Sequence, residues 1–538
     1  MKLISIHGLE SCSNHNATIA LFEDGICTIC LPVERISRNK LAINEPVNMN
    51  IINKVLAYKN LRIDDIDTWL VPASFDWKYY NLPSDKVIIT NEQNHHLAHI
   101  AGSFYTSNFE HACCICCDGL GGSNESITLA YVTRQDGIKI LKTFDFSHSL
   151  GLYYEAAADL ITGRSSEGKF MGLASYSKEK GKHPIEIDVD KETITNKFTY
   201  FKQYENIDEV RIAIKNYWQE NNYFTGHTLA PYLKDADFAS RVQDDLNTCI
   251  INLAKILKKY YPDEENLCLS GGTFLNCTSN GLLDRSGLFT NIYATSEPHD
   301  EGQAIGKGLY YLEEVLHQKT HCNNLSCYLG LDYDVDEIFE YINRDAVIVE
   351  KYSEQKIINI LKNNGIVAWY NSRSEIGPRA LGNRSLIASP QDFSMLEKLS
   401  IKVKKREFYR PLAPICIDEL YGMVFDDPHP ENLTQHMLKT VDIKKEWLDK
   451  IPAVVHIDNT ARPQYLKKDT NSRLYHLLKE YYEETGIPCL INTSLNAKGD
   501  PIIETPKDLI DFLRKSPLVN CCVFNNQYIV TVKDKECL

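Results

Sequence analysis

The run His111–Cys117 is continuously apolar after its first residue and ends at Asp118 in a glycine-rich turn, Asp-Gly-Leu-Gly-Gly. Such a run reads as a strand buried on both faces, the signature of a layered α/β fold. Gly119, Gly121 and Gly122 let the backbone approach a ligand closely. The pattern returns later in the chain. An amphipathic helix from about Asp244 to Tyr260 precedes a strand at Asn266–Leu269, which opens into Ser-Gly-Gly-Thr and a new helix. Two apolar strands each ending in a glycine turn predict a duplicated α/β domain, although the sequence shows no close internal repeat. Where such a turn leads into a helix, backbone N–H groups and the helix dipole converge on one point, which favours phosphate. Gly271, Gly272 and Asn276 are the candidates for a nucleotide end, a tight strand-to-helix turn without ligand being the alternative. The stretch Gly163–Tyr176, with Glu167 and Lys169, has the same two readings.

Between these features lies Asn94–Phe104, NHHLAHIAGSF. His95 and His99 stand four apart, so on a helix their rings share one face within reach of one cation, and His96 points elsewhere. A zinc-peptidase motif would need glutamate where His96 stands, which argues against that chemistry. The natural further ligands are acidic residues at turns that follow apolar runs, Asp118 and the Asp300 of EPHDEGQAIG. A polar surface pair or a satisfied core pair of histidines is the alternative.

The remaining N-terminal elements expected are a strand at Lys2–Ile6, a turn at SCSNHN containing His15, and a hairpin of Ala17–Phe22 with Gly25–Leu31. A helix at Asn50–Tyr58 and an extended segment at Thr68–Pro72 follow. The 538 residues suffice for two or more domains, and a formal charge of -14 argues against broad nucleic-acid binding while leaving room for a small anionic substrate. No signal peptide or apolar span is evident, so the cytosol is expected. The 17 cysteines include CTIC and CCICC runs. Residues three apart on a strand face opposite sides, so these runs read as buried, reduced thiols acting as small hydrophobes.

After Tyr311 the periodicity fades, Gln318–Cys327 reads as a linker, and a second unit begins near Tyr328. Helices are expected at Asp336–Arg344 and Glu354–Asn364, then a strand at Ile366–Tyr370. Clustered cations follow in GPRALGNRS, 377–385, and KKREFYRP, 404–411, the latter tied by Pro411 to an apolar strand at Leu412–Ile417. Arginine forks match phosphate oxygens bidentately, and lysine adds a compact charge. A last strand, Pro488–Ile491, feeds a polar turn of Asn492, Thr493, Ser494 and Asn496 that can bind phosphate or satisfy its own backbone.

With NHHLAHIAGSFY, DGLGG, EGKFMGLASY, LSGGTFLN, HDEGQAIG, SEIGPRALGNRS, KKREFYRPLAP and INTSLN in order along the chain, the sequence resembles the O-carbamoyltransferase family of nodulation-factor and antibiotic carbamoylating enzymes. The resemblance implies an α/β fold with two domains. Residues 1–325 would form a duplicated actin-like ATPase (ribonuclease H-like) domain similar to the tRNA threonylcarbamoyl-transfer protein, and 326–538 a smaller YrdC-like domain. It implies that His95, His99, Asp118 and Asp300 bind one metal, expected to be iron(II), although the donor set equally admits zinc or manganese. It implies that ATP, with magnesium, and carbamoyl phosphate yield carbamoyladenylate in the second domain. Lys404, Arg410, Arg379 and Ser494 would hold the phosphates, with Arg406, Arg462 and Asn496 as weaker additions. His15 matches the family's near-N-terminal histidine, a candidate base for the acceptor hydroxyl of a sugar or another secondary metabolite. Asn16 stands where the family usually has an acid, and His299 and the cysteine-rich strand are further departures. Transfer to an amine or a tRNA base, and a nonenzymatic nucleotide-binding regulator, are the competing readings. The acceptor and the oligomeric state are not legible.

Overall fold

The computed structural model describes residues 1–8, 15–198, 206–221, 223, 233 and 235–533. Most of the SCSNHN turn therefore lies outside the described residues, which resume at His15. The chain is mixed α/β and clusters into two compact units. The first takes Met1–Asn14, Ala20–Cys27 and Arg62–Leu325, and the second His15–Ile19, Thr28–Leu61 and Ser326–Leu538.

Strands β1 (Lys2–His7), β2 (Thr18–Glu23), β3 (Ile26–Pro32), β4 (Thr68–Val71) and β5 (Val87–Ile89) form one five-stranded sheet in the order β3-β2-β1-β4-β5, with β1, β4 and β5 parallel. Strands β6 (His111–Cys117), β7 (Glu125–Thr133) and β8 (Gly137–Asp145) begin another. A separate hairpin, β9 (Ile185–Asp188) with β10 (Thr193–Asn196), precedes β11 (Asn266–Ser270) and β12 (Asn291–Tyr293). The second five-stranded sheet runs β12-β11-β6-β7-β8, with β6, β7 and β8 antiparallel in turn and β11 and β12 parallel to β6. Counted from its own first strand, each sheet has the order 3-2-1-4-5, so the duplicated actin-like architecture is present. The duplication is not the one that the glycine turns suggested. Strands β6 and β11 are hydrogen-bonded neighbours within one sheet, Cys114 opposite Cys268, and the copy of their sheet is the one built on β1 and β4. Strand β6 is buried at every residue after His111, as its unbroken apolar run requires.

The helix His95–Thr106 packs against the helix Gln303–Tyr310. They approach closely at Gly102 and Gly306, where a Cβ on Gly306 would collide with the Ala98 carbonyl. That close contact brings the turn ahead of the second helix, with Asp300, up to the histidine face of the first. The long helix of this unit starts at Ala236, eight residues before the position expected from its amphipathic stretch. The fifteen described cysteines are all buried.

The second unit holds a mixed eight-stranded sheet. Its strands are β13 (Val347–Lys351), β14 (Ile366–Tyr370), β15 (Arg384–Ala388), β16 (Ala413–Ile417), β20 (Gln464–Leu466), β21 (Cys489–Ser494), β22 (Val519–Phe524) and β23 (Tyr528–Val532), in the order β13-β23-β22-β14-β15-β21-β16-β20. A small sheet of β17 (Phe425–Asp426), β18 (Val441–Ile443) and β19 (Thr460–Ala461) accompanies it. Two local expectations are corrected. The helix expected at Asp336–Arg344 is two 3-10 turns, Val335–Glu340 and Arg344–Ala346, because the Asn343 side chain accepts a hydrogen bond from the Asp345 amide and starts the second turn. Asn492, Thr493 and Ser494 are not in a turn but continue β21, where pairing to β15 and β16 supplies backbone partners and overrides their turn preference.

A candidate metal centre and an anion-binding cluster

His95 and His99 project from one face of their helix, and both are nearly inaccessible to water. Asp118 follows β6 directly. Its amide donates to the Ser126 carbonyl at 2.9 Å, and its Oδ1 accepts the Gly272 N–H at 3.1 Å. That leaves Oδ2 turned to the histidines, 3.3 Å from each Nε2. Asp300 opens the turn before Gln303–Tyr310 and places Oδ1 at 3.3 Å from the same two nitrogens. The four ligand atoms all lie within 4.8 Å of one another.

Two carboxylates aimed at one buried point repel each other. Burial and the Asp300 charge push the Asp118 carboxyl up, but hydrogen bonds to His95 and His99 outweigh them and hold it well below the usual range. Burial likewise disfavours the charged His99, yet its bonds to the two carboxylates leave its pKa raised. Proton and carboxylates balance one another here, and a divalent cation would do so more completely. Two imidazole nitrogens and two carboxylate oxygens, nearly closed off from water, suit zinc, iron(II) or manganese(II). His96 does point away, bonding Thr128 Oγ1 through Nδ1 at 2.8 Å, and burial keeps it neutral.

Several supporting residues are not singled out by the sequence. The Gln303 side chain donates to the His95 carbonyl at 3.0 Å. The His7 ring centroid stands 6.4 Å from that of His95, with its Nδ1 3.3 Å from Lys307 Nζ. Glu297, Ser103, Ser270 and Thr295 line a small cavity beside His99. Only their positions after strands or in the helix motif hinted at nearness to a site.

The glycine-turn candidates are organised around internal partners. Gly271 has φ +91° and donates to the Pro298 carbonyl at 2.7 Å, while Gly272 orients Asp118. Gly121 donates to the Glu125 carbonyl at 2.6 Å. Asn276 caps the helix Cys277–Arg285 through the Ser279 amide and exchanges hydrogen bonds with Gln243.

In the second unit, Lys404 is almost fully buried and donates to Ser494 O at 2.5 Å, Ser494 Oγ at 3.0 Å and Asn496 O at 2.9 Å, as well as to Asn496 Oδ1. Burial, and then the charges of Arg406, Arg410 and Lys40, drive its pKa far below the ordinary lysine value. Burial also lowers Arg406, to about 9, with Arg410 and Arg462 adding to the shift. Arg410 is lowered by burial and by Arg462, against the opposing Glu407, whose carboxylate lies 3.9 Å away. Beyond burial, these cations raise the cost of one another's charge. The half-buried Arg379 sits in a loop clamped from within. Glu375 accepts the Leu381 amide at 2.6 Å, Asn492 donates to Ala380 O at 2.9 Å, and Gln464 donates to Leu381 O at 2.7 Å. The Arg35 guanidinium donates to Gly377 O at 2.7 Å. Glu375, Gly377, Ala380 and Leu381 of this clamp lie in the SEIGPRALGNRS stretch, whereas Gln464 and Arg35 carried no sequence signal. His15 is half-buried and belongs to the second unit, and the four converging ligands belong to the first.

A duplicated α/β unit thus holds four converging side chains that could bind a metal, and a mixed-sheet unit holds a cation cluster. Profiles for the carbamoyltransferase N-terminus and the carbamoyltransferase C-terminus match residues 83–309 and 358–531. Uncharacterized protein sll1178 of Synechocystis sp. is 31% identical over 475 residues, covering 80% of this chain and 74% of that protein. Nodulation protein NolNO of Sinorhizobium fredii is 27% identical over 92% of this chain and 76% of its own length, and nodulation protein U of Rhizobium tropici 36% identical over 44% and 40%. The chain belongs to the carbamoyltransferase family and is a transferase. None of its described helices is long and apolar enough to cross a membrane.

Proposed function

We propose that the protein is an ATP-dependent O-carbamoyltransferase that makes carbamoyladenylate and passes the carbamoyl group to a hydroxyl of a small molecule, a sugar or another secondary metabolite. The observation that carries this reading is the cation cluster of Lys404, Arg406, Arg410 and Arg462, whose mutual repulsion an oligophosphate would relieve. In the YrdC-like second unit, water cleaves carbamoyl phosphate to carbamate and phosphate. A carbamate oxygen then attacks the α-phosphorus of ATP, and pyrophosphate leaves. The arginines grip phosphate oxygens in pairs, while Lys404, with Ser494 and Asn496 behind it, offers a point charge. Excluding water there protects carbamate and the mixed anhydride from loss.

In transfer, the acceptor oxygen attacks the carbamoyl carbon and AMP departs. His15 is the proposed base for the hydroxyl proton. His95, His99, Asp118 and Asp300 would hold one divalent metal, iron(II) by expectation, and when bound it would act as a Lewis acid toward the carbamoyl or phosphate oxygen. The carboxylates keep that point negative, and the surrounding helices shield it from solvent. The test supplies purified protein with carbamoyl phosphate, ATP, magnesium and iron(II), and follows AMP and pyrophosphate together with an untargeted search for metabolites gaining a carbamoyl group. AMP release that survives in Lys404→Ala and Arg410→Ala would refute the assignment of the cluster.

A further inference from the structure

The cavity beside His99 needs a separate account. It measures about 10 Å³, the room that one water needs. Its lining includes His99, Ser103, Ser270, Thr295, Glu297 and Ile305. We propose that Glu297 is a positioning residue for the metal centre, its carboxylate accepting, through one water in this cavity, the hydrogen bond donated by the His99 ring N–H that faces away from Asp118 and Asp300. The inference rests on reading those residues as metal ligands.

The geometry runs as a chain. His99 turns Nε2 to both carboxylates at 3.3 Å. A neutral imidazole that ligates through Nε2 carries its single hydrogen on Nδ1. His99 is only 5% exposed, so that N–H must find its acceptor inside the protein. Glu297 is 3% exposed and stands in the wall of the cavity that His99 also lines. The Ser296 hydroxyl donates to Glu297 Oε2 and limits the rotation of the carboxyl. Ser103, Ser270 and Thr295 also line the cavity, and one or two of their hydroxyls would complete the 2–4 partners that a buried water takes. An anionic acceptor behind a ligating histidine fixes its tautomer and ring angle and makes its metal-facing nitrogen a stronger donor. A glutamate that only braced the loop before Asp300 through Ser296 would leave metal affinity untouched when replaced by glutamine, which keeps that hydrogen bond.

The full chain, freed of metal, is titrated with cobalt(II) against a competing chelator, and visible absorption reports the bound ion. Glu297→Gln is expected to weaken cobalt binding about 10–100-fold, with affinity restored toward wild type in Glu297→Asp. Equal affinities within about threefold would overturn the inference alone. A wild-type protein that takes up no cobalt, or whose cobalt spectrum survives in His99→Ala, would overturn the metal centre with it. Should the glutamine variant not fold, long-range proton–nitrogen NMR of the zinc-loaded wild type decides the matter. A His99 Nδ1 proton shifted downfield, as a hydrogen bond leading to a carboxylate requires, supports the inference, and one at the position of a free imidazole N–H removes it.

Discussion

Replacing Lys404 with methionine separates the two tasks that its surroundings set. In the resting protein the ammonium satisfies the Ser494 and Asn496 carbonyls, the Ser494 hydroxyl and the Asn496 side chain. Leaving two part-buried carbonyls without that donor costs at most about 1–3 kcal/mol each. Against this, the variant no longer holds a desolvated cation beside Arg406, Arg410 and Lys40. The opposing contributions leave a net loss of about 0–3 kcal/mol, less than the roughly 3–5 kcal/mol expected from breaking a buried ion pair. Anion binding should fall more clearly. A charge-assisted hydrogen bond contributes about 1.5–3 kcal/mol, so pyrophosphate should bind Lys404→Met about 10–150-fold more weakly. Isothermal titration with pyrophosphate reads the second effect and urea unfolding without ligand the first. Pyrophosphate affinity within about threefold of wild type would refute the phosphate role of Lys404. An unfolding loss beyond about 5 kcal/mol would refute the balance of forces drawn here.

His99→Ala should abolish carbamoyl transfer while sparing the release of AMP and pyrophosphate, since the ligand set belongs to the first unit, and product analysis separates the two steps. Gly271→Ala should destabilise the first unit by at least about 2 kcal/mol, because the residue sits at φ +91° and a Cβ would collide with the Cys117 carbonyl; denaturant unfolding measures it, and a neutral result would mean the turn is not held as described. Burial pushes the Glu297 carboxyl up from 4.5 to about 7. A raised carboxyl pKa means that the folded state keeps its proton longer than the unfolded one. Its stabilising contribution is therefore full below pH 4.5 and is lost as pH rises through 7, by about 3 kcal/mol. The stability of the metal-free wild type relative to Glu297→Gln, followed by urea unfolding across that range, should show this slope.

The sequence alone determined the strand β6 and its terminal Asp118, the histidine helix, and the cationic stretches, because periodicity and turn chemistry are local and survive without knowledge of partners. It also singled out the four side chains that converge, two by helical spacing and two as acidic turn residues after apolar runs. Tertiary structure alone decided that β6 and β11 share a sheet and that the duplication runs between sheets, since strand pairing is set by long-range packing. It also drew Asn492–Ser494 into β21, because neighbouring strands offered the hydrogen bonds that a turn would otherwise have supplied. Gln303 acts through His95, distant in the chain, and no spacing in the sequence encodes such a contact, while Glu375 reaches the Leu381 and Arg384 amides because the loop between them folds back on it.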